Sequence, residues 1–80
     1  MPNLSERLLH IKAERKLLQK DIASHNDIAL RTYQGYEKGE YDPSTATLIK
    51  LCRYFNVSAD YLLGLSDEPK PLVQDNPDRT

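Results

Sequence analysis

Cysteine is nearly absent. Cys52 stands alone among 80 residues, which excludes an intramolecular disulfide and fits a reducing compartment. Long apolar runs are missing too. No stretch approaches a membrane span or a signal-peptide core, so a soluble cytoplasmic protein is expected. Nor is there an excess of charge: 11 Lys and Arg against 12 Asp and Glu give a formal net charge of −1, which argues neither for nor against nucleic acid. Catalytic groupings are lacking. No Ser/His/Asp, Cys/His, paired-carboxylate or phosphate-loop arrangement occurs, and so short a chain leaves little room for a substrate pocket. An enzyme is not expected. His10 and His25 have no cysteine or acid at ligand spacing, so they read as solvated histidines, and no metal or cofactor is expected. No internal repeat is visible.

What is present is unevenly distributed. Through Lys38 the cations Arg7, Lys12, Arg15, Lys16, Lys20, Arg31 and Lys38 outnumber the acids. From Ser66 onward Asp67, Glu68, Asp75 and Asp78 outnumber Lys70 and Arg79. A mildly basic first half is thus followed by an acidic end. Pro69, Pro71 and Pro77 and a scarcity of apolar side chains make 66–80 a disordered tail by composition, and assign 1–65 to the folded domain.

Within 1–65 the spacing predicts five helices packed around one small core, an all-α compact bundle. Leu4, Leu8, Ile11 and Arg15 recur at helical intervals, which places a first helix over about Ser5–Lys16 with Ser5 as its cap or first-turn residue. A second helix runs from about Leu18 to His25 and a third from about Leu30 to Lys38, where Gly39 ends it. Ser44 caps a fourth that buries Leu48, Leu51, Cys52 and Phe55, and Asn56 closes it in the left-handed conformation. Ser58 caps a short fifth helix, Ala59–Leu63, before Gly64. In the apolar stripe of the fourth helix Cys52 reads as a small buried hydrophobe rather than a redox sensor.

The stretch Gln19–Gly39 is the most informative. Ile22 and Ala23 face inward, the turn falls at Asn26-Asp27, and Ile28 plugs the core just after it. Tyr33, Tyr36 and Glu37 form the inner face of the following helix. The small Ala23 lets two helices approach closely where they cross near a right angle. This is helix-turn-helix geometry, in which the second helix is presented to a DNA major groove. Tyr33 and Tyr36 could stack on single-stranded bases, but their spacing puts them on the face that must be buried.

Several blocks resemble the lambdoid phage repressor and Cro proteins, the XRE-type helix-turn-helix family, in register and without gaps. They are Arg7-Leu8 with Ile11-Lys12, Gln19 through Ala23, Thr32-Tyr33 with Tyr36 through Gly39, Pro43-Ser44 with Leu48 and Leu51, and Val57 through Gly64. The resemblance spans Leu4–Leu65. It implies sequence-specific binding of double-stranded DNA, commonly as a homodimer on a two-fold operator.

Carried over by position, the resemblance puts Leu30, Arg31, Gln34 and Gly35 before the base edges. Arg31 can bond guanine O6 and N7, Leu30 can meet a thymine methyl, and Gln34 can address adenine or a phosphate. Gly35 has no side chain and permits close approach. Phosphate contacts fall to Gln19, Lys20, Thr32, Lys38 and Tyr41, with Gln19 at a helix N-terminus that favours an anion. Lys12 and Glu37 match the family's ion pair between the first and third helices, with Lys where Arg is frequent.

The chain also departs from the family. Asp27 replaces the turn glycine, Asn26 the apolar residue before it, and Ala29 the hydroxyl cap of the recognition helix. Asp27 is expected to take over that capping. Glu40 and Asp42 stand in a loop that usually approaches phosphates, and they oppose it by charge. Tyr61, Leu62 and Leu65 are the expected dimer contacts, because the last helix carries more apolar side chains than it can easily bury. The expected function is a transcriptional regulator, a repressor of the phage or mobile-element type. The alternative is the antidote protein of a toxin–antitoxin pair, with the acidic tail folding onto a protein partner.

Overall fold

The computed structural model describes residues 3–69, and its regular elements are five helices with no strand among the described residues. They are α1 (Leu4–Arg15), α2 (Gln19–His25), α3 (Leu30–Lys38), α4 (Thr45–Phe55) and α5 (Ala59–Leu62). No helix of the described residues is long and apolar enough to cross a membrane.

Local chemistry sets most boundaries. Asn3, not Ser5, caps α1: its side chain accepts from the Glu6 amide at 2.9 Å, and Glu6 Oε1 accepts from the Asn3 amide at 3.2 Å. Ser5 sits in the first turn, where its Oγ donates to the Glu37 carbonyl at 2.6 Å. At the other end Lys16 turns left-handed (φ 55°), so α1 stops at Arg15. Ser44 and Ser58 cap α4 and α5 by accepting from the amides of Thr47 and Tyr61. Asn56 closes α4 at φ 59°, as expected of an asparagine. The fifth helix ends at Leu62, one residue short of expectation.

The core draws on every helix. Leu8 and Ile11 of α1, Ile22 of α2, Tyr33 of α3, Leu51 and Phe55 of α4 and Leu62 of α5 are fully buried. Each such side chain contributes about 1.5–3 kcal/mol of transfer free energy. Leu48 and Cys52 pack on this core while remaining half-buried, short of the full burial expected for them. Tyr33 and Tyr36 are both core residues, with their rings edge to face at 6.3 Å. That leaves neither ring free for stacking on bases.

Because α5 packs against both α1 and α4, it consumes most of its own apolar surface. Tyr61 is 6% exposed and Leu62 0%, so both belong to the monomer core and not to a dimer surface, contrary to expectation. Of the three expected contacts only Leu65, 66% exposed, is available, with Leu63 near it in sequence at 39%. The Arg7 guanidinium stacks 4.1 Å from the Tyr61 ring and bonds the Ser66 carbonyl and Asp67 Oδ1, each at 2.9 Å. The first two residues of the expected tail are therefore tied back to α1, and the stretch 70–80 lies outside the described residues.

Candidate nucleic-acid interface

The turn between α2 and α3 is built without glycine. Asp27 takes the left-handed conformation (φ 60°) where the resemblance has glycine. Asn26 is buried, and its amide donates to the Ile22 carbonyl at 2.7 Å. Ala23 is buried and accepts the Ile28 amide at 2.9 Å, the close approach for which a small residue is needed. Asp27 does not cap α3. Ala29 is its N-cap, and no side-chain bond is made there. An aspartate committed to a left-handed turn two residues earlier is spent on backbone geometry instead.

One end of α3 is presented and the other is held. Leu30, 42% exposed, and Arg31 open the helix on the surface. Among the described residues no ion pair or hydrogen bond engages the Arg31 side chain, so its fork of donors is available. Glu37, near the other end, is buried, and its Oε1 takes Lys12 Nζ at 2.9 Å and Gln19 Nε2 at 2.8 Å. The ion pair between α1 and α3 that the resemblance implies is thus formed, with Gln19 of α2 as a third member. Glu37 Oε2 and the Tyr33 hydroxyl are buried without hydrogen-bond partners. Burial, and then the Glu37 carboxylate, push the Tyr33 phenol well above its usual range.

Two of the four expected base readers make contacts within the protein. Gln34 is half-buried and donates to Gln19 Oε1 at 3.1 Å across the gap between α3 and α2. Gly35 is buried under Tyr41: a Cβ there would lie 2.3 Å from the Tyr41 ring carbon Cζ. The ring of Tyr41 also meets Tyr36 edge to face at 5.9 Å, and the side chain stays 46% exposed. The absent side chain at Gly35 therefore seats a tyrosine rather than opening the helix to bases. Of the expected phosphate contacts, Lys20 and Lys38 are exposed, Thr32 is half-buried, and Gln19 begins α2 beside Leu18, an N-cap that makes no side-chain bond. Glu40 and Asp42 are both exposed in the loop that carries Tyr41.

His10 lies 3.9 Å from Glu14, and no cluster of metal-ligating side chains occurs among the described residues. Burial raises the Cys52 thiol above its ordinary pKa. Neither belongs to the α2–α3 face.

The model of a helix-turn-helix domain family matches residues 5–68. The chain belongs to that family. In Bacillus subtilis it is similar to the uncharacterized HTH-type transcriptional regulator YobD, 38% identical over 86% of this chain and 62% of that protein. It is also similar to the HTH-type transcriptional regulator ImmR of the same organism, 37% identical over 85% of this chain and 54% of that one. The cryptic phage CTXphi transcriptional repressor RstR of Vibrio cholerae is 30% identical over 79% and 57%. The chain thus spans little more than half the length of these relatives. A crystal structure of a transcriptional regulator from Listeria innocua superimposes with a TM-score of 0.75 at 31% identity, covering 96% of this chain and 68% of that one. These are families of regulators rather than of enzymes.

Two contacts of this helix-turn-helix domain escaped reasoning from sequence. Gln19 and Gln34 meet across 15 positions, and no periodicity marks a pair of glutamines on two different helices. Tyr41 returns over Gly35 from a loop, where only the missing side chain at 35 hinted at a close approach.

Proposed function

We propose that this chain is a sequence-specific, double-stranded-DNA-binding transcriptional regulator of the phage or mobile-element repressor type, and that α3 enters the major groove. The observation that carries this reading is the exposed pair Leu30 and Arg31 at the start of α3, on a helix anchored to α1 and α2 through Glu37. Arg31 supplies a bidentate fork for a guanine, and Leu30 an apolar contact for a thymine methyl. Gln19, Lys20, Lys38 and the exposed edge of Tyr41 approach the phosphates, and these contacts set position rather than sequence. Glu40 and Asp42 oppose that approach and lower the affinity that the phosphate contacts supply. RstR is a phage repressor by name, and that kinship supports the repressor reading over an activator.

One recognition helix contacts few base pairs, so two copies on a two-fold operator raise both affinity and specificity. Leu65 and Leu63 are the apolar side chains available for that contact. Selection of bound sites from random duplex DNA by the full chain tests the reading. A two-fold consensus with a guanine in each half-site is expected. A pool that emerges without any enriched sequence would overturn it.

A further inference from the structure

Gln19 is held from two sides, and the chemistry of its neighbours dictates which way round its amide sits. Glu37 is paired with Lys12 at 2.9 Å, and an ionised carboxylate can only accept hydrogen bonds. The atom of Gln19 that faces Glu37 Oε1 at 2.8 Å must therefore be its nitrogen. Its oxygen then faces Gln34 at 3.1 Å, and Gln34 must present its own nitrogen there. A polarity imposed by one buried carboxylate runs from α1 through α3 to α2 and back to α3. With one N–H given to Glu37 and the oxygen engaged by Gln34, Gln19 retains one free N–H donor. A phosphate oxygen accepts and never donates, so the residue is set in advance for a phosphate.

We infer that Gln34 is a positioning residue for Gln19, not a reader of bases. This rests on the DNA-binding reading above. Two facts carry it. Gln34 is half-buried where Leu30 and Arg31 are exposed. One of its donors is already engaged within the protein. Without Gln34 the Gln19 amide remains tethered by Glu37 at one end only and loses its fixed orientation.

The test is a double-mutant cycle on the full chain with Gln34→Met and Gln19→Met, which keep length and remove polarity. Affinities are measured for the selected site and for its single base-pair variants. Gln34→Met weakens binding to every duplex by about three- to tenfold, the size of one neutral hydrogen bond, and leaves the base preferences intact. In the Gln19→Met background its effect disappears, which a general loss of folding would not do. A lost preference at one base pair makes Gln34 a reader and overturns the inference. So does a Gln34→Met penalty that persists without Gln19. The side-chain amide resonances of Gln19 in DNA-free protein give a second readout. They move in Gln34→Met, and unmoved resonances also overturn the inference. Wild-type protein is carried through the same series: if it binds no duplex selectively, the DNA-binding reading fails first and this inference falls with it.

Discussion

The two ends of α3 differ more than their closeness within one nine-residue helix suggests. Leu30 and Arg31 lie open on the surface with no partner for the guanidinium among the described residues. Gln34, Gly35 and Glu37 are covered or bonded, by Gln19, by the Tyr41 ring and by Lys12 together with Gln19 respectively. One end offers chemistry to a ligand, and the other keeps the helix where that offer is useful. A buried ion pair at the held end is costly to break, because removing one partner strands the other charge. An exposed arginine at the open end costs stability almost nothing to remove. Stability and recognition should therefore separate along a single helix.

The largest expected effect is at the held end. Glu37→Ala should lose about 3 kcal/mol or more of unfolding free energy, since Lys12 and Gln19 both lose their acceptor. Urea denaturation measures it, and a loss below about 1 kcal/mol would remove the contrast between the ends. At the open end Arg31→Ala should change stability by less than about 0.5 kcal/mol. It should nevertheless relax discrimination at one operator base pair by about 1–3 kcal/mol, read from affinities for single-substituted duplexes. Unfolding together with loss of preference would show that Arg31 is structural.

Gly35→Ala sharpens the comparison from the middle of the helix. The added methyl meets the Tyr41 ring, so about 1 kcal/mol should be lost in a thermal melt as the ring is displaced. In a Tyr41→Ala background the sign should reverse to a gain of about 0.5–1 kcal/mol, because alanine suits a helix interior better than glycine. Destabilisation in both backgrounds would mean that something other than Tyr41 fills the space. The smallest effect belongs to the turn. Asp27→Gly relieves a positive φ and should stabilise by about 0.5 kcal/mol, with operator preference unchanged.

Much of this was legible beforehand. Five helices followed from apolar spacing, and Ser44, Ser58, Gly39 and Asn56 end or begin helices where local chemistry says they should. The Lys12–Glu37 pair followed from the family resemblance and is formed at 2.9 Å. The departures share a cause. Tyr61 and Leu62 were assigned to a partner subunit and lie in the monomer core; Gln34, assigned to adenine or a phosphate, bonds Gln19, and Gly35, assigned to close approach by DNA, lies under Tyr41. In each instance the residue faces another element of the same chain, and helical periodicity reports a face without saying what covers it.

The order of the helices, the serine caps of α4 and α5 and the inward placement of Ile22, Ala23, Tyr33 and Glu37 were determined by the sequence itself. Each depends on neighbours within about one helical turn or on a simple 3.6-residue period. Only the tertiary structure decided that Gln34 meets Gln19, that Tyr41 lies over Gly35, and that Arg7 holds Tyr61, Ser66 and Asp67. Those contacts join residues from different elements, and their geometry follows from how whole helices pack. Shape and hydrogen-bond polarity at that range are properties of the packed chain, and no local pattern of residue types encodes them.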